Sequence, residues 1–237
     1  MNEPRDSRNK EEEGELFFSS LYTPEQARRY FYKHQESFGR RLSDRVEKRM
    51  VRKALRLAGE PDSVLDLPCG TGRFWPLLLE RGERRVLAGD YSGGMLDIAC
   101  RFQPPEWLKK VQLLQTSAFR IALAPDAVDS ILCIRLFHHI GERKDRLRIL
   151  REFHRVTRDT VCLSLWLDDS RQGRRRRRLE QERAQGVRAY RRGYQDRFVQ
   201  SPEVVEAEFE EAGFEILDRV RMLPGWSIWS TYVLKKR

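Results

Sequence analysis

This 237-residue sequence predicts an α/β protein with a doubly wound, mostly parallel seven-stranded sheet, an antiparallel last strand and helices ahead of the first strand. Three observations carry that expectation. Short apolar runs alternate with segments of helical period, a glycine turn follows the first run, and two apolar runs separated by a short linker close the chain. Strand–helix alternation implies parallel strands, because each return to the same sheet edge needs a crossover. A short linker between two strands implies an antiparallel pair.

The elements follow in order. Residues 1–15 read as a solvated tail and 16–60 as a helical lid, with 61–237 forming the main domain. Within the lid, Leu42, Val46, Met50, Ala54, Leu55 and Ala58 recur at helical spacing, and Gly59 and Pro61 end the run. The first strand is expected over 63–67, turning through Pro68–Gly72 into a helix that ends near Gly82. Further strands are expected over 85–90, 111–115, 128–134 and 160–166. Helices lie between them over 94–102 and 142–156, the second with Leu147, Leu150 and Phe153 on one face. After an arginine-rich insertion at 170–197, Ser201 and Pro202 open a helix that Gly213 closes. Strands over 214–222 and 227–234 finish the fold.

Composition narrows the class. Apolar residues make up 40% of the chain, enough for a sizeable core, and no apolar run approaches a membrane span. Met1–Gly14 contains no signal-like apolar region, so a cytoplasmic location is the expectation. Cys69, Cys100, Cys133 and Cys162 lack metal or redox-pair spacing and read as reduced, mostly buried small hydrophobes. His34, His138, His139 and His154 show no ligand spacing with acids, so no metal site is expected. Net charge is +10, but 11 arginines against 3 acids between Arg171 and Arg197 supply +8 of it. The basic character therefore belongs to one segment.

The run Val64-Leu65-Asp66-Leu67-Pro68-Cys69-Gly70-Thr71-Gly72-Arg73 delivers an acid at a strand end and then a glycine turn, where open α/β sheets bind ligands. The second strand ends in Asp90, whose carboxylate can accept both hydroxyl protons of a ribose. A nicotinamide dinucleotide site wants a third glycine where Trp75 stands. In these residues the chain resembles the class I S-adenosylmethionine-dependent methyltransferases, over roughly 62–235. The resemblance implies a Rossmann-like methyltransferase fold with S-adenosylmethionine as cofactor. It also implies that Asp66, Gly70 and Gly72 form the first motif and that Asp90 holds the ribose. Tyr91 and Met95 would then lie in the segment that packs on adenine, Ser117, Ala118 and Phe119 at the adenine edge, and Arg135 toward the methionine part. Two departures stand out: Pro68 replaces the first glycine of that motif, and Ser117 replaces a common acid.

Methyl transfer needs alignment more than side-chain chemistry, and a base only when the acceptor must lose a proton. His138 and His139, after the fourth strand, are the candidate catalytic residues; the alternative is a histidine bonded to a loop carbonyl. Tyr22, Tyr30, Phe31 and Tyr32 are candidates for a lid over the cofactor, which the resemblance implies would shape the acceptor pocket, with Tyr190, Tyr194 and Trp226 on the other candidate wall of that pocket.

The arginine segment reads in three ways: a solvated charged helix or loop, a patch for phosphates on a substrate, nucleic acid or membrane, or a regulatory nucleotide site. For the last, Asp168–Gly173 resembles the D-x-S-x-x-G half of the cyclic-di-GMP motif of PilZ domains, and Arg151–Arg155 and Arg174–Arg178 fit its R-x-x-x-R half. The expected function is methyl transfer to a small or lipid-linked acceptor, anionic in keeping with the arginines, with peripheral contact at the inner membrane face. An RNA methyltransferase and a non-catalytic nucleotide-binding or scaffold protein are the alternatives; no appended RNA-binding module is recognisable.

Overall fold

A computed structural model describes residues 38–186 and 197–237. The tail at 1–15 and the aromatic residues Tyr22, Tyr30, Phe31, Tyr32, Tyr190 and Tyr194 lie outside the described residues. The elements in order are α1 (Phe38–Leu57), β1 (Ser63–Asp66), α2 (Trp75–Leu78), β2 (Arg85–Asp90), α3 (Gly93–Phe102), α4 (Pro105–Leu108), β3 (Val111–Gln115) and β4 (Val128–Cys133). A 3-10 turn (Phe137–His139) follows, then α5 (Arg143–Val156), β5 (Thr157–Trp166), α6 (Arg171–Ala184), α7 (Pro202–Glu211), β6 (Phe214–Arg221) and β7 (Trp229–Lys236).

The seven strands form one sheet in the order β3-β2-β1-β4-β5-β7-β6. The first five are parallel, and β7 inserts antiparallel between β5 and β6. Strand order reverses at β1/β4, the switch point where ligands bind in such sheets.

Strand side chains alternate between two cores, as the period of two requires. Leu65, Leu87, Ile131, Val161, Leu163 and Tyr232 face α5 and α7 on one side. Val64, Val86, Ala88, Leu132, Cys162 and Val233 face the other, where Met50, Val51, Ala54 and Leu55 of α1 cover them with Trp75 and Leu78. Ser92, Ser170 and Ser201 cap α3, α6 and α7 by accepting from Met95, Gly173 and Val204 N–H groups, and Gly213 with φ +87° follows α7.

Several expectations change. The helix expected to reach Gly82 is a single turn, because residues 70–74 wind as consecutive tight turns and Trp75 packs directly beneath Gly72. β5 begins at Thr157; its polar start, Thr157-Arg158-Asp159, hid three residues of strand from hydrophobic patterning. Leu42 is 52% exposed and lies off the apolar stripe of α1. Cys69, Cys133 and Cys162 are free and buried, whereas Cys100 is exposed.

Arg146 of α5 and Glu208 of α7 form a buried bidentate pair at 2.8 and 2.6 Å, and the guanidinium also donates to the Ile140 and Gly141 carbonyls. Breaking such a pair strands a charge, while replacing both partners by apolar groups does not. We expect Glu208→Ala to lower unfolding free energy by about 3–5 kcal/mol in urea titration, and the double replacement Arg146→Met with Glu208→Leu to cost much less.

Candidate functional site

The candidate donor-binding residues gather at the carboxyl edge of the sheet: Asp66 and Asp90 end β1 and β2, and Gly70, Gly72, Tyr91, Ser117 and Arg135 follow strands. The turn after β1 places Gly70 and Gly72 at φ +55° and +79°, a backbone that side chains rarely adopt. Cys69 N–H donates to the Gly89 carbonyl at 2.8 Å, and Gln103 from the end of α3 donates to the Thr71 carbonyl at 2.6 Å, so the turn is held from two sides. Pro68 stands inside it, joined to Leu67 by a cis peptide bond.

Asp90 ends β2 and reaches across to that turn. One carboxylate oxygen accepts from Gly70 N–H at 2.8 Å and the other from Ser92 N–H at 2.9 Å. A carboxylate offers about four acceptor positions, so about two stay available for hydroxyl donors. Burial pushes the Asp90 carboxyl up to about 6, although those two N–H groups favour the charged form.

Asp66 is fully buried, and neither of its oxygens has a hydrogen-bond partner among the described residues. Burial, then the negative charge of Asp90, raises its carboxyl well above the usual range, with Arg73 opposing. Two adjacent carboxyls, one without any partner, fit a ligand that is cationic and rich in hydroxyls.

Beyond Asp90 opens a cavity of about 590 Å³ lined in part by Tyr91, Gln115, Thr116, Ser117 and Arg120. Thr116 N–H bonds the Asp90 carbonyl at 2.9 Å, and Gln115 donates to the Tyr91 carbonyl at 3.2 Å, which fixes this wall. Of the residues expected around the adenine, Tyr91 from the packing segment and Ser117 from the edge line the cavity. Phe119 is buried in the core, Ala118 packs against that core, and Met95 is buried within α3.

Arg135, expected toward the methionine part, points at α1. Its guanidinium is bidentate to Glu47, both bonds 2.9 Å, and lies 5.2 Å over the Trp229 ring. Glu47 also pairs with Arg73, which bonds Asp44 as well. Burial would raise the Glu47 carboxyl, but Arg73 and Arg135 outweigh it and hold it below its ordinary range. Thus α1 is pinned across the crevice, one arginine following the glycine turn and the other following β4. The sequence held a signal for this. Glu47 falls on the stripe of Met50, Val51, Ala54 and Leu55, and a lone acid on an apolar stripe implies a buried partner.

His138 and His139 follow β4 with ring centroids 4.0 Å apart. His138 stacks on Trp166 at 4.9 Å and meets the edge of Trp229 at 5.1 Å. Register pairs Trp166, ending β5, with Trp229, starting β7. Arg176 and Arg197 lie 5.5 and 5.6 Å over the Trp166 ring. His138 Nδ1 and Trp166 Nε1 are buried without hydrogen-bond partners among the described residues. Burial, then the charges of His139, Arg197, Arg135 and Arg176, keeps His138 well below its ordinary pKa, so the imidazole is neutral near pH 7. Trp226 is exposed at a hairpin tip, whereas Trp229 meets Trp166 edge-on at 5.5 Å.

The arginine segment opens as helix α6. Ser170 is its cap, and a Cβ on Gly173 would sit 2.0 Å from the Leu167 carbonyl oxygen. Asp168 pairs with Arg177. In the other expected half-motif, Arg151 pairs with Glu211, and Arg155 with Glu152.

Residues 65–163 match the family model described as a methyltransferase domain. An uncharacterized methyltransferase-like protein of Schizosaccharomyces pombe is 28% identical over 109 residues, 46% of this chain; the chain spans 39% of that relative's length. Among solved structures, magnesium protoporphyrin IX methyltransferase from Synechocystis with bound S-adenosylhomocysteine superposes with a TM-score of 0.67. Its identity is 14%, over 93% of this chain and 96% of that one. The Haloferax volcanii putative methyltransferase in complex with the Trm112 activator gives 0.55 at 14% identity, covering 81% and 93%. At these identities the structural likeness is one of fold.

Glu47→Ala removes the carboxylate that Arg135 engages and one of the two that Arg73 engages. We expect a loss of about 3 kcal/mol in urea unfolding, with Glu47→Gln losing less. Because the carboxyl is held low, the stability it contributes is present above the carboxylate range and is lost as pH falls through it.

Proposed function

We propose, on the premise that this chain carries a class I S-adenosylmethionine-dependent methyltransferase domain, that it transfers a methyl group to an anionic acceptor, small or lipid-linked. The observation that carries this reading is the pair Asp66 and Asp90 around the glycine turn at the sheet's switch point, with acceptor positions still available on both carboxyls. The donor, when bound, supplies a methyl on a positively charged sulfonium, already electrophilic without further activation.

Asp90 would accept the ribose hydroxyl protons, held at the right angle by Gly70 and Ser92. Tyr91 and Ser117 would flank the adenine in the cavity beyond it. Asp66 would ionise against the donor's cationic end, which relieves its burial.

The acceptor would lie against the His138–Trp166–Trp229 wall. The aromatic surroundings suit a flat or ring-bearing group, and Arg135, Arg176 and Arg197, though engaged with Glu47, Glu180 and the tryptophan rings, give this wall a positive potential. Neutral His138 can take a proton at Nδ1 if the attacking group is a hydroxyl. A carboxylate acceptor would need no base at all. A cyclic dinucleotide would find Ser170 and Gly173 already engaged in the start of α6.

Two measurements test this. In calorimetry with S-adenosylhomocysteine, affinity should fall as pH drops through about 6, as Asp90 becomes protonated. Asp90→Asn should bind at least ~10-fold more weakly at pH 7 and lose most of that pH dependence, since a hydrogen bond to a charged group contributes about 1.5–3 kcal/mol. The sign for the donor-free protein is opposite. A raised carboxyl pKa means that stability declines as pH climbs from the ordinary carboxylate range through about 6, and Asp90→Asn should remove that decline.

The second measurement is transfer of labelled methyl to fractionated extract. Label should enter an acidic small-molecule or lipid fraction, and His138→Phe should lower turnover while retaining S-adenosylhomocysteine affinity. Label confined to RNA would select an RNA methyltransferase, and no transfer to any fraction would select a non-catalytic binder.

A further inference from the structure

The arginine run in α6 separates into two populations. Gly173, Arg176, Glu180 and Arg183 turn toward the protein, with Arg176 bonded to Glu180 and to the Arg197 carbonyl. Arg171, Arg174, Arg175 and Arg178 recur at the spacing of one helix face, and all four are exposed. Arg178 pairs with Glu182 on its own helix. Among the described residues, Arg171, Arg174 and Arg175 have no carboxylate within ion-pair distance. The acids nearest the helix start are occupied, Asp168 by Arg177 and Asp169 by Arg219 and Arg221.

Beside this stripe stands an apolar tip. The hairpin joining β6 to β7 turns through Leu223-Pro224-Gly225-Trp226, with Leu223 57% and Trp226 48% exposed. The tip is fastened to the helix. Arg171 and Gln172 N–H groups donate to the Gly225 and Trp226 carbonyls at 2.9 and 3.1 Å, and the Arg171 guanidinium lies 4.9 Å over the Trp226 ring. One surface thus presents a cationic stripe and a protruding Leu–Trp pair in fixed register.

We propose that this face docks on an anionic lipid bilayer, with Leu223 and Trp226 entering the headgroup–acyl boundary and the arginines lying against lipid phosphates. Charge complementarity alone would fit any polyanion. The exposed leucine and indole decide for the bilayer, because a soluble polyanion gives an aliphatic side chain nothing to enter, whereas tryptophan favours the interface. The face also adjoins the acceptor wall. Trp226 precedes Trp229 by three residues, and α6 begins five residues after Trp166. Docking would therefore set the mouth of the crevice beside the membrane, where an anionic lipid-linked acceptor resides. The surface itself stands independently of methyl transfer.

The test is sedimentation of the full chain with phosphatidylcholine vesicles and with vesicles also containing phosphatidylserine, at low and high salt. Heparin serves as a soluble polyanion control. We expect binding that requires phosphatidylserine and weakens with salt. Arg174→Gln and Arg175→Gln should each lower the partition coefficient about five-fold. Leu223→Ala and Trp226→Ala should each lower it several-fold while leaving heparin binding unchanged. All four positions are exposed, and S-adenosylhomocysteine affinity should stay the same in every variant. Absence of phosphatidylserine-dependent binding would overturn the proposal, as would vesicle binding indifferent to both Leu223→Ala and Trp226→Ala. Failure of the unmodified chain to bind S-adenosylhomocysteine would instead strike the function proposed above and leave the vesicle result intact.

Discussion

The Asp90 carboxylate, reaching from the end of β2 to the Gly70 N–H while its other oxygen holds Ser92, is the contact on which the crevice depends. It ties together the two loops that flank the switch point. It also starts α3 in register, since Ser92 is the cap of that helix. The bonds satisfy backbone donors that would otherwise be buried without partners, and they orient the carboxylate with its remaining lone pairs outward. The cost is a buried charge, visible in the raised pKa. A site that keeps such a charge poised, and beside it a second carboxyl with no hydrogen-bond partner among the described residues, departs from what stability alone would select.

The same logic recurs on the other side of the crevice with opposite sign. Arg73 and Arg135 project from loops that follow the glycine turn and β4, and Glu47 neutralises both from α1. The helix is therefore more than a cover for the apolar face of the sheet. Its buried carboxylate makes the position of α1 depend on two loops of the candidate site, so movement of either loop is felt by the helix. Arg135 further connects this cluster to Trp229, and through the paired tryptophans to His138.

The arginine-rich insertion shows how composition and geometry divide the work. Charge alone marked the segment, but the helical period decides which arginines serve the fold and which face outward. Gly173 is where the helix presses on Leu167, and Ser170 is its cap, so the D-x-S-x-x-G pattern is accounted for by helix initiation. A short motif with a packing explanation at each position carries less weight as a binding motif.

Hydrophobic period and glycine placement were enough to determine the strand–helix order, the sheet class, the closing antiparallel pair, and that Asp66 and Asp90 end adjacent strands with Gly70 and Gly72 in the turn after the first, because these are local properties of the chain. The one-turn length of α2 and the early start of β5 depended on neighbours: Trp75 packed under Gly72, and a polar segment recruited into strand by pairing with β4. Long-range partners were decided only in three dimensions. Arg135 turned to Glu47, 88 residues away, and Phe119 went to the core while Ser117 lined the cavity. Trp229 met Trp166 and His138, while Trp226 stayed exposed at the hairpin tip. Sequence spacing specifies which face of an element a residue occupies, but the partner opposite that face is set by the topology that brings distant strands together.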